Sequence, residues 1–452
     1  MKDADAVRNL TNIVKQHKDE DILLVVSAMG KTTNMLEKVL ADFRQHNGEL
    51  GFGALSEVME YHERIILDLF DNKQDHPVIE SVSNLFIELY EKLSQPDLDY
   101  DYQYDQTVSY GELLSTTIIQ EYLNHCDVPA RWLDARKYVL TDYRFRAANP
   151  DWDETRLKIQ KLNDEHIRGI VCITQGFIGG TADGKHSVTL GREGSDYTAA
   201  IFANCLDAEE VTIWKDVDGL LNADPKRFKE TVKIPHISYS EAIELAFYGA
   251  TIIHPKTIKP LQNKNITLKV QSFLHPECDP TIIDNNSVSE DHSQLSTSHS
   301  QLSTLHSQLS TLHSQLSTSH SQLSTLHSPI PTPHYIVKDN QTLVSISPRD
   351  FSFMNEHNLQ IIFATCDELH IHANMMQTSA LMLSFCFDHN DTKCQSLIAT
   401  LRDDFSIKYN DGLQLFTIRH YTEGIETDFI AGRKVFLEQR SRATAQFIIS
   451  GF

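Results

Sequence analysis

From His292 onward a seven-residue unit, His-Ser-Gln-Leu-Ser-Thr followed by Ser or Leu, repeats five times and ends at Leu326, with Pro329, Pro331 and Pro333 close behind. Leucine at the fourth and often the seventh place imitates a coiled-coil seam. Serine, threonine and histidine dominate the unit, however, and no charges flank the seam, so helix propensity is poor. By composition the segment reads as a disordered linker. The near-identity of its copies points to recent tandem duplication in the coding DNA. Loop-closure entropy grows only logarithmically with length, so an insertion of this kind is tolerated between two folded domains. A chain of 452 residues also exceeds one ordinary core. The expected organisation is therefore a first domain over 1–285, a linker over 286–334 and a second domain over 335–452.

The two flanks differ in pattern. In the first, amphipathic helices are expected at Ala6–His17, Thr33–Phe43, Leu55–Phe70, Val108–Tyr122, Ser195–Cys205 and Ser240–Tyr248. Apolar strands are expected at Ile22–Ser27, Ile170–Gln175, Val211–Trp214 and Ile266–Gln271. That alternation implies an α/β fold with a mainly parallel sheet sandwiched by helices. The second flank has short strands at Leu343–Ile346, Ile371–Met376, Leu381–Phe387, Leu413–Ile418 and Gln446–Ile449, with helices near Leu359 and over Cys394–Asp403. This is the α+β order of a ferredoxin-like βαββαβ unit.

Composition removes several function classes. Acidic residues number 62 against 40 basic, a net charge of −22. Such a surface repels nucleic acid, and any use of a polyphosphate then demands local cations and Mg²⁺. The longest apolar runs fall well short of the ~20 residues of a membrane helix. The seven cysteines lack paired spacing, and Cys172, Cys205 and Cys386 sit in apolar runs. Reduced, buried thiols in a cytoplasmic protein are expected. The first residues carry no apolar core of a signal peptide.

Several segments carry candidate chemistry. In Val25-Val26-Ser27-Ala28-Met29-Gly30-Lys31-Thr32-Thr33-Asn34 a buried strand runs into hydroxyl residues and a helix, a cradle for an anion at the carboxyl end of a strand. It is not a GxxxxGK[ST] loop, because Val25 stands where the first glycine belongs. Read blandly, it is a capped helix. Gly176-Phe177-Ile178-Gly179-Gly180 precedes Thr189-Leu190-Gly191-Arg192-Glu193-Gly194-Ser195-Asp196-Tyr197-Thr198. Glycine admits phosphate oxygens close to backbone amides, Arg192 can hold a carboxylate bidentately, and Asp196 in a first helical turn can orient a cation. Lys215-Asp216-Val217-Asp218-Gly219 and the following Leu221 and Asp224-Pro225-Lys226 form a strand end with acidic and basic punctuation, either a nucleotide grip or an ordinary turn. Glu112, in Ser109-Tyr110-Gly111-Glu112, serves the helix dipole or receives a substrate ammonium. His254-Pro255, after Gly249, reads as a turn.

Taken together these segments resemble the aspartate kinases of the amino-acid-kinase superfamily across nearly all of 1–285, and the tail is similar to their ACT regulatory modules. The resemblance implies transfer of phosphate from ATP, with Mg²⁺, to the β-carboxylate of L-aspartate. This is the first committed step toward lysine, threonine, methionine and, in bacteria, diaminopimelate. It further implies that Ser27 and Thr33 contact aspartate, Glu112 its ammonium, and Arg192 and Ser195 its carboxylate. Arg192 and Asp196 would act in catalysis, with no protein metal site. Lys215, Asp216, Leu221, Lys226 and Thr251 would line the nucleotide site. A carboxylate is already nucleophilic, so catalysis would be positioning and charge neutralisation. In the tail, Asn374, Thr378 and Ser379 would bind lysine or threonine as feedback effector, and edge-to-edge ACT pairing implies a homodimer.

The match has departures. Relatives begin with a strand bearing Lys-Phe-Gly-Gly-(Thr/Ser)-Ser, whereas this chain starts in the helix that follows, through a late start or a truncation. Loss of that lysine is expected to cost on the order of 2–4 kcal/mol of transition-state stabilisation, and protein with this start is expected to show no aspartate-dependent ATP turnover. Thr251 stands for a common Lys, Leu221 for Tyr, Glu193 for Gly, Lys226 for Arg, and Ala380 for the Glu of lysine-sensitive relatives. The alternatives are an inactive amino-acid-sensing subunit and a kinase for glutamate or acetylglutamate. The long linker also leads to an expectation of weakened coupling between domains.

Overall fold

Leu23–Val26 is a short apolar strand that pairs in parallel with Val171–Gln175, which pairs in parallel with Ala130–Leu133. In the computed structural model these form a three-stranded sheet in which Val171–Gln175 is central. Residues 1–45, 49–95, 98–164, 169–250, 253–285, 332–350, 352–422 and 424–451 are described. The heptad repeat and Thr251 lie outside them.

The chain divides into two compact units, the first comprising Met1–Gly219, Ile237–Ile243 and Ile252–Asn285. Besides the parallel triplet it holds two smaller sheets. In one, Glu210–Lys215 runs parallel to Thr267–Ser272, which then pairs antiparallel with Thr281–Asp284. In the other, Leu140–Thr141 runs parallel to Ile178–Thr181, whose hairpin partner is Ser187–Thr189. The Gly194–Leu206 helix packs against both Leu23–Val26 and Glu210–Lys215. Helices Ala4–Gln16, Thr32–Gln45, Glu49–Leu69, Pro77–Leu93 and Tyr110–His125 build the main core, with Val7, Leu36, Val58, Leu114 and Ile118 fully buried.

The helices and strands expected in this unit are present with shifted ends, with one structural correction. The single helix expected over Val108–Tyr122 is two helices, Tyr100–Val108 and Tyr110–His125, meeting at the buried Ser109. The first is capped by Asp99, whose carboxylate accepts from the Tyr102 N–H. Helices Pro77–Leu93, Trp152–Asp164 and Pro255–Gln262 and the strand Ala130–Leu133 were not anticipated.

The second unit comprises Leu220–His236, Glu244–Thr251 and Asn286–Phe452. His334–Pro348, Glu356–Glu368, Met375–Thr378, Leu383–Asp388, Asp391–Leu401 and Phe405–Arg419 follow one another as βαββαβ. The third strand lies beside the first, as in a ferredoxin-like sheet. Thr444–Ser450 and Val435–Arg440 then extend the sheet to six strands. Two strands are far longer than expected. His334–Pro348 and Phe405–Arg419 each run 15 residues and pair antiparallel, interrupted by a bulge near Lys338–Gln341. The strand expected at Ile371–Met376 begins only at Met375, because His370 turns left-handed (φ 50) and the Ile371 N–H bonds back to Cys366, closing the preceding helix. An aromatic stack binds the unit together. Phe416 lies 3.8 Å from Phe429 between ring centres, and Phe228 stacks on both Phe429 and Tyr335.

Phe416 is fully buried in this stack. Phe416→Ala is expected to destabilise the second unit by about 3–5 kcal/mol, read as a lowered denaturation midpoint of that unit in urea with unchanged slope.

Candidate functional site

The site forms where the strand Leu23–Val26 and its neighbours end. The Val26 carbonyl accepts from the Gly176 N–H at 2.8 Å, so the Ser27 and Gly176 loops leave the sheet side by side. Gly176 admits no side chain, since a Cβ there would sit 2.6 Å from the Ser195 Cβ and Oγ. The Ala28 N–H donates to Glu112 Oε1 at 3.1 Å, and the other Glu112 oxygen is buried without a partner. Burial pushes Glu112 up to about 8, with the Ala28 hydrogen bond opposing the shift. This carboxyl is therefore neutral at pH 7 until a cation reaches it.

The opposite set of loops is organised by Asp105, a fully buried carboxylate. It accepts the Thr189 N–H (2.9 Å), the Thr189 hydroxyl (2.7 Å) and the Arg146 N–H (2.9 Å). Burial raises it to about 6 despite those bonds. Beyond Thr189 the chain passes Gly191 (φ 80), the exposed Arg192 and Glu193 (φ 53) into the Gly194–Leu206 helix. Ser195 and Asp196 fall in its first turn, and Lys215 Nζ donates to Asp196 Oδ2 at 2.7 Å. Glu193 Oε2 is buried without a partner among the described residues.

A cavity of about 560 Å³ lies among these loops, lined by Ser27, Thr33, Glu112, Arg192, Ser195, Asp196 and Lys215. That volume suits an amino acid together with part of a larger ligand. Seven candidate residues, drawn from four separate segments, are thus brought together. Asp216 is exposed at the end of its strand and is not among the lining residues. Leu221 and Lys226 belong to the second unit, where Leu221 bridges to Lys233 and the Lys226 N–H donates to Asp224. In the tail, Asn374 Oδ1 accepts from Lys338, and its amide donates to Gln341 and Asp388. Thr378 and Ser379 are exposed at the end of an edge strand.

Three residues of this site escaped the sequence reading: Tyr104 and Arg146, which line the cavity, and Asp105. They lie in Tyr102-Gln103-Tyr104-Asp105 and Arg144-Phe145-Arg146, which read as polar surface. No spacing in either run signals a buried carboxylate.

Residues 1–272 match the model of the amino acid kinase family. The chain is 41% identical over 184 residues to lysine-sensitive aspartokinase 3 of Escherichia coli (strain K12), covering 40% of each chain. It is 30% identical over 292 residues to a chloroplastic bifunctional aspartokinase/homoserine dehydrogenase 2 of Zea mays, covering 63% of this chain and 31% of that protein. The chain thus spans less than half the length of these two curated relatives. The crystal structure of E. coli aspartokinase III in complex with aspartate and ADP superposes with a TM-score of 0.76 at 25% identity, covering 99% of this chain and 94% of that one. Among the described residues no helix is long and apolar enough to cross a membrane.

Glu112 titrates near 8 when folded, against 4.5 for the ordinary carboxyl. Its contribution to stability is present below about 4.5 and is lost as pH rises through about 8. Without ligand, the wild type is expected to be less stable at about pH 9 than at about pH 6 by a few kcal/mol. Glu112→Gln should remove most of that difference, as read from urea midpoints.

Proposed function

The chain belongs to the amino acid kinase family, and from that premise we propose that it transfers the γ-phosphoryl group of ATP to the β-carboxylate of L-aspartate. The observation that carries the reading is the single cavity in which an unpaired arginine, an uncharged buried carboxyl and an Asp–Lys pair converge. An amino acid has an ammonium and a carboxylate to hold. The orphaned oxygen of Glu112 awaits a cation, and the Arg192 guanidinium has no ion-pair partner among the described residues.

In this reading Arg192 and Ser195 hold one end of aspartate, Glu112 takes its ammonium, and Ser27 and Thr33 steady the group to be phosphorylated. The β-carboxylate oxygen attacks the γ-phosphorus, the bond to the β-phosphate oxygen breaks, and ADP and 4-phospho-L-aspartate result. No general base is needed. Lys215 and Asp216 are assigned to ATP, and the resemblance adds Leu221, Lys226 and Thr251. Hard oxygen donors suit Mg²⁺, and Asp196 with the unpartnered Glu193 oxygen would hold the ion that travels with the nucleotide. When bound there, Mg²⁺ would supply neutralisation of phosphate charge. Lys215 holds Asp196 in place through their 2.7 Å ion pair.

We also assign residues 1–285 to the kinase, 286–334 to a linker and 335–452 to an ACT-type module that senses lysine or threonine through Asn374, Thr378 and Ser379. A solved neighbour is E. coli aspartokinase III with lysine and aspartate in its T-state, 25% identical with a TM-score of 0.72. Edge pairing into a homodimer, a cytoplasmic setting and a place at the head of lysine, threonine and methionine synthesis complete the proposal.

Titration calorimetry with ADP present tests the central claim. Aspartate should bind, glutamate and N-acetylglutamate should not, and Arg192→Ala should weaken aspartate by about 10–100-fold. Absence of any heat with aspartate would sink the assignment. Because Glu112 is protonated at neutral pH and must ionise beside an ammonium, aspartate binding at pH 7 should release close to one proton, roughly 0.9. Buffers of different ionisation enthalpy measure it. Lysine or threonine should weaken aspartate binding reciprocally, and if neither does, the sensing assignment fails.

A further inference from the structure

Two charged residues at the cavity occupy left-handed backbone, Arg146 at φ 66 and Glu193 at φ 53. Glycine adopts that conformation at no steric cost, and a long side chain does not. Strain retained under a charged side chain that faces a cavity points to a use for that side chain. Glu193 already has one in the reading above, and Arg146 has none.

Arg146 lies in the loop between Leu140–Thr141 and the Trp152–Asp164 helix. Its N–H donates to Asp105, the same buried carboxylate that takes the N–H and hydroxyl of Thr189. Two residues on, the Ala148 N–H donates to the Thr189 carbonyl at 2.9 Å. The Arg146 carbonyl also rests against Gly191, 3.4 Å from where a Cβ would stand. The loop bearing Arg146 and the loop bearing Arg192 are therefore fastened to each other. A buried anchor of this kind fixes where both guanidinium groups can reach.

The Arg146 guanidinium is itself oriented. Its carbon lies 4.4 Å from the centre of the Tyr104 ring, a cation–π contact, and Nη1 meets the exposed Asp101 at 3.3 Å. The Nε and Nη2 donors have no partner among the described residues. That free edge is the one arginine uses for bidentate grip of a carboxylate. The cavity's other lining cations are Lys215, committed to Asp196, and Arg192, which has no ion-pair partner among the described residues. Two arginines with free donors among the described residues therefore line one cavity, beside the neutral, cation-seeking Glu112 and apart from the Glu193 and Asp196 carboxylates assigned to the nucleotide's ion. That inventory matches a ligand with two carboxylates and one ammonium.

We propose that Arg146 is a second carboxylate anchor beside Arg192, and that it makes the pocket selective for an amino acid with two carboxylates. The inference rests on the reading of this cavity as the aspartate site. Each arginine takes one carboxylate, and Asp105 is the positioning residue that sets the two loops.

The test is Arg146→Gly, which removes the guanidinium and relieves the left-handed strain, so the melting temperature should be unchanged or higher. Aspartate and asparagine are titrated by calorimetry into wild type and variant. Asparagine keeps the α-carboxylate and replaces the other by an uncharged amide. The variant should bind aspartate about 10–100-fold more weakly, down toward its asparagine affinity, while asparagine binds as it does to the wild type. Equal weakening of both ligands, or no change in either, overturns the proposal, as does weakening of ADP alone, which would put Arg146 on the nucleotide. If the wild type binds no aspartate, the reading of the site falls and this inference with it. A wild type that binds aspartate beside an unaffected variant removes only the inference. Arg146→Asn, whose short amide tolerates left-handed backbone, gives the same comparison if glycine loosens the loop.

Discussion

Burial of two carboxyl groups on consecutive helices is the constraint around which the cavity is arranged. Asp105 belongs to Tyr100–Val108 and Glu112 to Tyr110–His125, on either side of the interruption at Ser109. Each is nearly or wholly inaccessible to water, and each is bonded to the backbone of a loop rather than to another side chain alone. An unpaired buried carboxylate is costly, so hydrogen bonds to loop amides offset part of the desolvation and lock the loops in return. Asp105 is fully served by three donors, whereas Glu112 has one. The first is a fastening, and the second is a fastening with spare capacity.

That difference decides the electrostatics of the site. Glu112 holds its proton at neutral pH because burial outweighs a single amide. Lys215 and Asp196 neutralise each other at 2.7 Å with about a quarter or less of each side chain exposed. Among the lining residues the cations Arg146, Arg192 and Lys215 outnumber the anions Asp196 and Glu193, which suits anionic ligands within a chain of net charge −22. An acidic surface around a locally cationic pocket is the arrangement that polyphosphate and dicarboxylate ligands require.

Much of the fold was legible in the residues. Apolar runs such as Leu23–Val26 and Val171–Gln175, short and rich in β-branched residues, read as strands, and amphipathic stretches such as Ala4–Gln16 and Thr32–Gln45 carry a clear helical period. Glycine and hydroxyl clusters after strands marked the loops that line the cavity. Illegible were the elements with weak pattern. Ala130–Leu133, with Arg131 and Trp132 inside it, does not read as a strand, and it is fixed by its parallel pairing with Val171–Thr174. Tyr100–Val108 is rich in Asp, Gln and Tyr, and its burial comes from the Thr32–Gln45 and Pro77–Leu93 helices and the Ser187–Thr189 strand packed against it. Strand ends in the tail shifted because pairing partners, not local composition, extend His334–Pro348 and Phe405–Arg419 to full length.

Alone, the sequence determined the class of fold, and it singled out the loops whose hydroxyl, arginine and acidic residues were candidates for chemistry. These follow from periodicity and turn chemistry, which are local. Only the tertiary structure decided that Ser27, Glu112, Arg192 and Lys215 share one cavity, that Glu112 is uncharged there, and that Asp105 ties Arg146 to the loop of Arg192. Proximity and desolvation arise from contacts between segments distant in the chain, and no local pattern encodes them.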